Sequence, residues 1–187
     1  MTGGLTGRVA LITGGNSGIG AATARALAAH GAAVTVHFLG AAEEVSDGVS
    51  VEHTVRGESA ARDVVAQIRA DGGTAEAVEG DLADPDTPAR LLDAVERALG
   101  PVDVLVNNAA HCELPDTVFE TSAGGIDRHF AVNTRAAVLL TAAFARRFRE
   151  RSGDHGRVVN LSTAGAQVFP TQIAYGASKA ALEAFTR

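Results

Sequence analysis

Short apolar segments alternate with amphipathic segments along the whole chain. The apolar segments are rich in valine and bounded by glycine, aspartate or asparagine, which is typical of strands buried on both faces. The amphipathic segments repeat their apolar residues at helical spacing, as Val64, Val65 and Ile68 do. The predicted strands are residues 8–13, 33–38, 74–79, 102–107 and 157–162. The predicted helices are residues 18–30, 59–70, 86–99, about 125–149 and 174–187.

This alternation, with short connections, predicts a doubly wound α/β fold in which helices cover both faces of a parallel sheet. We expect residues 1–187 to form one domain with three layers, α/β/α. Residues 39–57 interrupt the rhythm, because they form a long polar link between a strand and its helix. Val49, Val51 and Val55 alternate weakly there, which fits a small hairpin in a mobile surface insertion.

Composition and charge narrow the possible partners. The chain has 187 residues, of which 46% are hydrophobic and 20% charged, as in one globular domain. A net charge of −6 argues against a nucleic acid or an anionic membrane as partner. Cys112 is the only cysteine, and no Cys/His cluster has the spacing of zinc ligands, so no metal is predicted. The longest apolar stretch, 136–145, is too short to span a bilayer, and we expect a soluble cytoplasmic protein.

Two residue types occur once each, and close together. Lys179 is the only lysine among sixteen basic residues, and Tyr175, four positions earlier, is the only tyrosine. Residues four apart on a helix share a face, so both side chains point to the same side. A nearby ammonium favours the phenolate and lowers the pKa of a tyrosine, which otherwise titrates at ~10. The pair therefore indicates a proton-transfer group.

A glycine-rich turn joins the first predicted strand to the first predicted helix. Its sequence, Thr13 to Gly20, has the spacing Gly-x-x-x-Gly-x-Gly. Glycines allow a close approach of the backbone to a pyrophosphate, and the helix N-terminus offers free N–H groups. The turn therefore indicates a dinucleotide site.

Further polar marks follow the later strands in a fixed order. They are Asp81-Leu82, Asn107-Asn108-Ala109-Ala110, Asn133, Ser162 or Thr163, and Tyr175 with Lys179. With the glycine turn, they make the chain resemble the short-chain dehydrogenase/reductase family from Thr13 to Arg187. The resemblance implies a Rossmann-like fold that lacks the last two strands of the family. It also implies a homodimer or homotetramer.

The resemblance assigns catalytic roles to four positions. Tyr175 exchanges a proton with the substrate oxygen, and Lys179 assists it while binding the nicotinamide ribose. Asn133 holds a water that relays protons to the lysine. The residue that orients the substrate oxygen depends on where the family's spacing is counted from. Counting back from Tyr175 gives Ser162, and counting forward from the end of the fifth strand gives Thr163. Ser162 is the preferred assignment.

The resemblance likewise assigns the cofactor contacts. Asp81 accepts a hydrogen bond from the adenine amino group, and Asn107 stabilises the sheet. The predicted cofactor-binding residues are Gly14, Asn16, Ser17, Gly18, Ile19, Gly20, Phe38, Asp81, Leu82, Asn108, Ala109, Ala110, Tyr175 and Lys179.

The sequence favours NADP over NAD without excluding NAD. Phe38 stands where NAD-preferring members carry an aspartate, so no carboxylate repels a 2′-phosphate. The arginine typical of NADP-binding members is also missing, since Ser17 and Leu39 hold its usual places, and Arg56 is a candidate substitute.

The sequence thus predicts an oxidoreductase that transfers a hydride between NADP(H) and a small carbonyl or alcohol substrate. The alternative is a catalytically inactive dinucleotide-binding fragment, or a subunit that acts only in a complex. His111 and Cys112 follow the Asn-Asn turn and are interpreted as loop residues, with a contact to substrate as the alternative.

Overall fold

Five parallel strands form the central sheet in the computed structural model, which describes residues 4–41, 48–51, 57–164 and 171–186. The strands of the central sheet are β1 Val9–Ile12, β2 Ala33–Phe38, β4 Thr74–Glu79, β5 Val104–Asn107 and β7 Arg157–Asn160. Their spatial order is β4-β2-β1-β5-β7. Two short strands, β3 Ser50–Val51 and β6 Glu113–Leu114, pair antiparallel outside this sheet.

Within the described residues, five α-helices lie between strands and a sixth follows β7. They are α1 Gly18–Ala29, α2 Gly57–Ala70, α3 Thr87–Ala98, α4 Ala123–Phe130, α5 Ala137–Glu150 and α6 Ile173–Phe185. A π-helical segment, Ala131–Ala136, joins α4 to α5, so the predicted long helix is observed in three parts. Within the described ranges, none of the helices combines the length and apolar character that a membrane crossing needs.

The sheet is apolar because both of its faces are buried. In β1, Ala10 and Ile12 face the core beneath α1 and α2, whereas Val9 and Leu11 face the core beneath α3 and α5. All four residues are at most 6% exposed. Consecutive strand residues point to opposite faces, so a strand with helices on both sides must be apolar throughout. The predicted doubly wound α/β fold is confirmed.

The strand order reverses direction at β1. The chain runs from β1 outward through β2 to β4, then returns to the other side of β1 for β5 and β7. In such sheets a crevice opens beyond the carboxyl ends of the strands at the reversal point. This edge of the sheet is therefore where the site is expected.

The link between β2 and α2 is described in part. Ser50 and Val51 pair with Leu114 and Glu113. β3 is thus paired with β6. Val55 of the predicted hairpin and Arg56 lie outside the described residues. That 39–57 is a surface insertion stays a prediction.

Candidate active site

A cleft of about 580 Å³ opens at the carboxyl ends of the strands. Its volume lies in the range of small-molecule sites, roughly 300–1,000 Å³. The predicted site residues that line it are Gly14, Asn16, Ser17, Gly18, Ile19, Asp81, Leu82, Asn108, Ala109, Ala110, Ser162, Tyr175 and Lys179. It is also lined by His37, Leu39, Val51, Gly80, His111, Arg128, Val132 and Leu161. The fold therefore brings the glycine turn and the Tyr-Lys pair to one cavity.

The glycine turn is packed against the end of β5. The Asn108 side-chain amide donates to the carbonyl oxygens of Thr13, at 2.9 Å, and Gly14, at 3.0 Å. A Cβ on Gly20 would clash with the Gly14 carbonyl oxygen and lie 2.5 Å from Nδ2 of Asn108. Only glycine at position 20 fits this close approach.

The N-terminus of α1 opens into the cleft. Ser17 precedes the helix without capping it through its side chain, and the first turn carries no acidic residue. Gly18 has φ +49° and nothing within 4 Å of the place a Cβ would occupy. Uncapped N–H groups and the positive end of the helix dipole suit a phosphate. The residues present therefore fit the pyrophosphate of a dinucleotide.

His37, in β2, forms hydrogen bonds to the residues that follow β1 and β4. Its Nδ1 accepts a hydrogen bond from the Gly14 N–H at 3.1 Å, so Nε2 carries the proton and donates to the Gly80 carbonyl at 2.9 Å. Burial lowers the pKa of His37 to about 4, although the bond to Gly80 and the charge of Asp81 act in the opposite direction. The imidazole is neutral at pH 7 and holds Gly14 in place.

Asp81 already has two hydrogen-bond partners within the protein. One carboxylate oxygen accepts from the Ala83 N–H at 2.8 Å, and the other pairs with Arg128 at 3.1 Å. Its side chain is still 42% exposed, and each oxygen has a second lone pair. Asp81 can therefore still accept a hydrogen bond from a ligand.

Tyr175 and Lys179 lie on the same face of α6 and both line the cleft. Tyr175 is half-buried, whereas Lys179 is only 2% exposed. The Lys179 ammonium donates to the carbonyl oxygen of Leu161 at 2.9 Å. Burial lowers the pKa of Lys179 to about 8. The fold therefore brings a phenol and an ammonium to the same cleft.

Asp116 fixes the N-terminus of α6. Its carbonyl oxygen accepts from Ile173, and its carboxylate accepts from the N–H groups of Ala174 and Tyr175 at 2.9 and 3.0 Å. The first three amides of a helix have no partner within the helix, so an outside acceptor must supply one. Asp116 is buried, at 3% exposure. Its hydrogen bonds to the first turn of α6 set the position of Tyr175 at the cleft.

Asn133 lies behind the cleft, in the π-helical segment. Its side-chain oxygen accepts from the His111 N–H at 2.7 Å, and its amide donates to the His111 carbonyl at 2.9 Å and to Ser178 Oγ at 3.0 Å. Ser178 Oγ in turn donates to the Tyr175 carbonyl at 2.7 Å. Asn133 therefore ties the loop after β5 to the helix that carries the tyrosine.

The two candidate hydroxyl residues differ in environment. Ser162 is exposed, lines the cleft, and donates its hydroxyl to Glu183 at 2.5 Å. Thr163 is half-buried. The choice between them stays a prediction.

Not every predicted residue faces the cleft. Gly20 and Asn133 lie behind it, and Phe38 packs in the core beneath α1 and α2 at 4% exposure. The neighbours of Phe38, His37 and Leu39, line the cleft instead. At the end of β2 the cleft is therefore lined by Leu39 rather than by Phe38.

Three structurally important residues were missed in the sequence. His37 gave a usable signal, because a histidine inside a strand buried on both faces must have hydrogen-bond partners. Asp116 and Arg128 gave none, since each acts on a partner far away in the chain, on α6 and on Asp81.

The comparisons with known proteins agree with this geometry. A family model described as short chain dehydrogenase matches residues 39–187. The chain belongs to the short-chain dehydrogenase family. A short-chain type dehydrogenase/reductase of Picea abies is 36% identical over 188 residues, which cover 98% of this chain and 64% of that protein.

Solved structures of short-chain dehydrogenases share the fold. One from Mycobacterium avium gives a TM-score of 0.84 at 36% identity and covers 98% of this chain and 62% of that chain. A 3-oxoacyl (acyl-carrier-protein) reductase from Agrobacterium tumefaciens C58, solved with NADP bound, gives 0.80 at 31% identity, covering 97% and 63%. The chain thus spans slightly less than two thirds of the length of these relatives, and the predicted family is confirmed.

Proposed function

We propose that this short-chain dehydrogenase interconverts a carbonyl compound and an alcohol with NADP(H), using Tyr175 as general acid and base. The observation that carries the proposal is the shared cleft, in which Tyr175 and Lys179 meet the open N-terminus of α1. Carbonyl reduction needs a hydride donor and a proton donor at one place. In this cleft the N-terminus of α1 would bind the cofactor that donates the hydride, and Tyr175 would donate the proton.

The residues of the chain divide the work. When bound, NADPH supplies the hydride to the carbonyl carbon. Tyr175 gives its hydroxyl proton to the carbonyl oxygen, and in the reverse direction takes the proton from the alcohol. Lys179 stabilises the phenolate that remains, and Ser162 or Thr163 donates a hydrogen bond to the substrate oxygen. Asn133 keeps the surrounding loop and α6 in register.

NADP is proposed rather than NAD. Among the described residues, the end of β2 presents Leu39 and no carboxylate to the cleft, so none of these side chains repels a 2′-phosphate there. The reductase from Agrobacterium tumefaciens was solved with NADP. A titration in which NADH binds as tightly as NADPH would overturn this choice.

The test is NADPH oxidation against a panel of aldehydes and ketones, with Tyr175→Phe as the matched variant that keeps the ring. Turnover by the purified chain should fall by about 10²–10⁴-fold in Tyr175→Phe, the range for loss of a general acid. NADPH binding, followed by fluorescence, should persist. Equal turnover by the two proteins would contradict the role of Tyr175.

A second candidate is a dinucleotide-binding subunit that turns over substrate only in a complex. Two apolar side chains favour it: Val159 on β7 is 47% exposed and Phe185 at the end of α6 is 67% exposed. NADPH binding without turnover of any carbonyl would select it. Assembly as a homodimer or homotetramer and a cytoplasmic location stay predictions, the first testable by light scattering.

A further inference from the structure

Two histidines and a glutamate cluster at the end of the cleft that holds Tyr175. His111 follows β5 and lines the cleft, and its Nε2 lies 2.7 Å from Oε1 of Glu113 in β6. The two side chains are 10% and 19% exposed. The pairing of Glu113 with Val51 of β3 holds the backbone of β6 in place.

His129 fills the space between His111 and Tyr175. Its ring centroid lies 5.1 Å from that of His111 and 6.4 Å from that of Tyr175, both in edge-to-face contacts. Its Nε2 accepts from the Glu113 N–H at 3.2 Å, so its Nδ1 donates to the Gly125 carbonyl at 2.7 Å. His129 is 1% exposed and acts as a fixed spacer.

The bond to Glu113 decides which nitrogen of His111 carries the proton. A carboxylate can only accept, so Nε2 donates and Nδ1 keeps its lone pair. Burial lowers the pKa of His111, against the opposing effect of Glu113, and the ring is neutral at pH 7. No described residue bonds Nδ1, and it is not among the buried polar atoms without a partner. Nδ1 is therefore an accessible acceptor.

The position of His111 is as well defined as that of Tyr175. Asn133 holds both backbone groups of His111, and the same amide reaches Ser178, which bonds the Tyr175 carbonyl. The acceptor and the proton donor thus sit on one hydrogen-bonded frame, separated by the ring of His129. A rigid acceptor at a set place rejects substrates that leave it unpaired.

We propose that His111, oriented by Glu113, determines substrate specificity by accepting a hydrogen bond from a hydroxyl group located away from the reacting carbonyl. The substrate class is a ketone that carries a separate hydroxyl group, or the corresponding diol. Ring ketones serve as probes because their rigid frame fixes the distance between the hydroxyl and the carbonyl. The inference rests on the proposed function, because the carbonyl is placed at Tyr175. His111 moves no proton in this role and leaves the reaction itself unchanged.

The test compares α-tetralone with each of its monohydroxylated ring isomers as substrates for NADPH oxidation. At least one isomer should exceed the parent ketone in kcat/KM by about tenfold or more, as expected for a buried hydrogen bond to a hydroxyl. In His111→Leu the ratio of the two kcat/KM values should fall to about one, since the acceptor is lost. In His111→Asn, whose side-chain oxygen stands near the place of Nδ1, most of the ratio should remain. A general loss of activity cancels in the ratio.

A second measurement does not depend on turnover. In protein labelled with ¹⁵N-histidine and loaded with NADP⁺, the two ring-nitrogen resonances that disappear in His111→Asn belong to Nε2 and Nδ1 of His111. The Nδ1 resonance should have the shift of an unprotonated nitrogen and move when at least one hydroxylated isomer is added, but not with α-tetralone. No movement with any isomer would overturn the inference. Turnover without a preference for hydroxylated ketones would also overturn it and leave the proposed function standing, whereas failure of every carbonyl with a responding Nδ1 would overturn only the proposed function.

Discussion

The ammonium of Lys179 donates to the carbonyl oxygen of Leu161 at 2.9 Å from an almost fully buried position. Leu161 directly follows β7, so the lysine of α6 is anchored to the end of the sheet. Burial is the reason that the pKa of Lys179 falls from 10.5 to about 8. The positive charge of Lys179 is therefore held at a cost in stability.

That cost predicts a pH dependence of unfolding. The unfolded chain binds a proton at Lys179 up to about pH 10.5 and the folded chain only up to about pH 8, so stability rises with pH between these values. The difference corresponds to about 3 kcal/mol of unfolding free energy. In urea titrations, the unfolding free energy of the unsubstituted protein should therefore rise relative to that of Lys179→Met as the pH rises through this window. Parallel pH profiles for the two proteins would refute the buried ammonium.

Substitution of His37 should weaken both the fold and the cofactor site. The pKa of His37 is about 4 in the folded protein and 6.5 in the unfolded chain. The unfolding free energy of the protein should therefore rise as the pH rises from about 4 to about 6.5. His37→Leu leaves the Gly14 N–H and Gly80 carbonyl without partners, at about 1–3 kcal/mol each. Urea unfolding and NADPH titration should both show the loss.

The exposed His30 offers a matched control. His30 lies at the C-terminus of α1, and His30→Gln should keep the rise in unfolding free energy between acid and neutral pH. His37→Leu should lack it. If both variants kept the rise, His37 would not be its source.

Loss of the Asp116 carboxylate should displace Tyr175. Asp116→Ala leaves the amides of Ala174 and Tyr175 without acceptors, which should cost about 1–3 kcal/mol of unfolding free energy. kcat/KM should fall with it, while Asp116→Asn, which keeps one acceptor oxygen, should recover part of both. The control is Asp127→Ala, an exposed residue of α4, which should change neither measurement by a comparable amount.

A methyl group at position 20 should abolish cofactor binding. The Cβ of Gly20→Ala would meet the Gly14 carbonyl and the Asn108 amide, so the turn and the end of β5 must separate. Gly124→Ala, in α4 with nothing within 4 Å of its Cβ, should gain about 0.5–1 kcal/mol of stability from helix propensity. NADPH titration and thermal unfolding distinguish the two. Normal NADPH affinity in Gly20→Ala would contradict the packing of the turn.

Much of the fold could be predicted from the sequence. β2 and β4 were predicted with their observed bounds. The prediction of β2 rests on burial, because a strand buried on both faces is a nearly continuous apolar run. The interruption of the helix around Asn133 was not predicted, because the π-helical segment changes the hydrogen bonding over only six residues.

The candidate site was predicted where its residues are near neighbours in sequence. The glycine turn and the Tyr175–Lys179 pair each occupy one local element, so spacing alone indicated them. The bond of Ser162 to Glu183 and the burial of Phe38 depended on how distant elements pack, which spacing does not report.

The sequence by itself determined the alternation of layers, the glycine-rich turn and the face shared by the tyrosine and the lysine, because backbone geometry fixes all three over a few residues. The tertiary structure decided what supports them. Asp116 reaches α6 across 58 positions and Asn133 reaches the loop after β5 across 22. Such buried polar contacts form only when the chain brings distant groups together out of water, where each must find a partner.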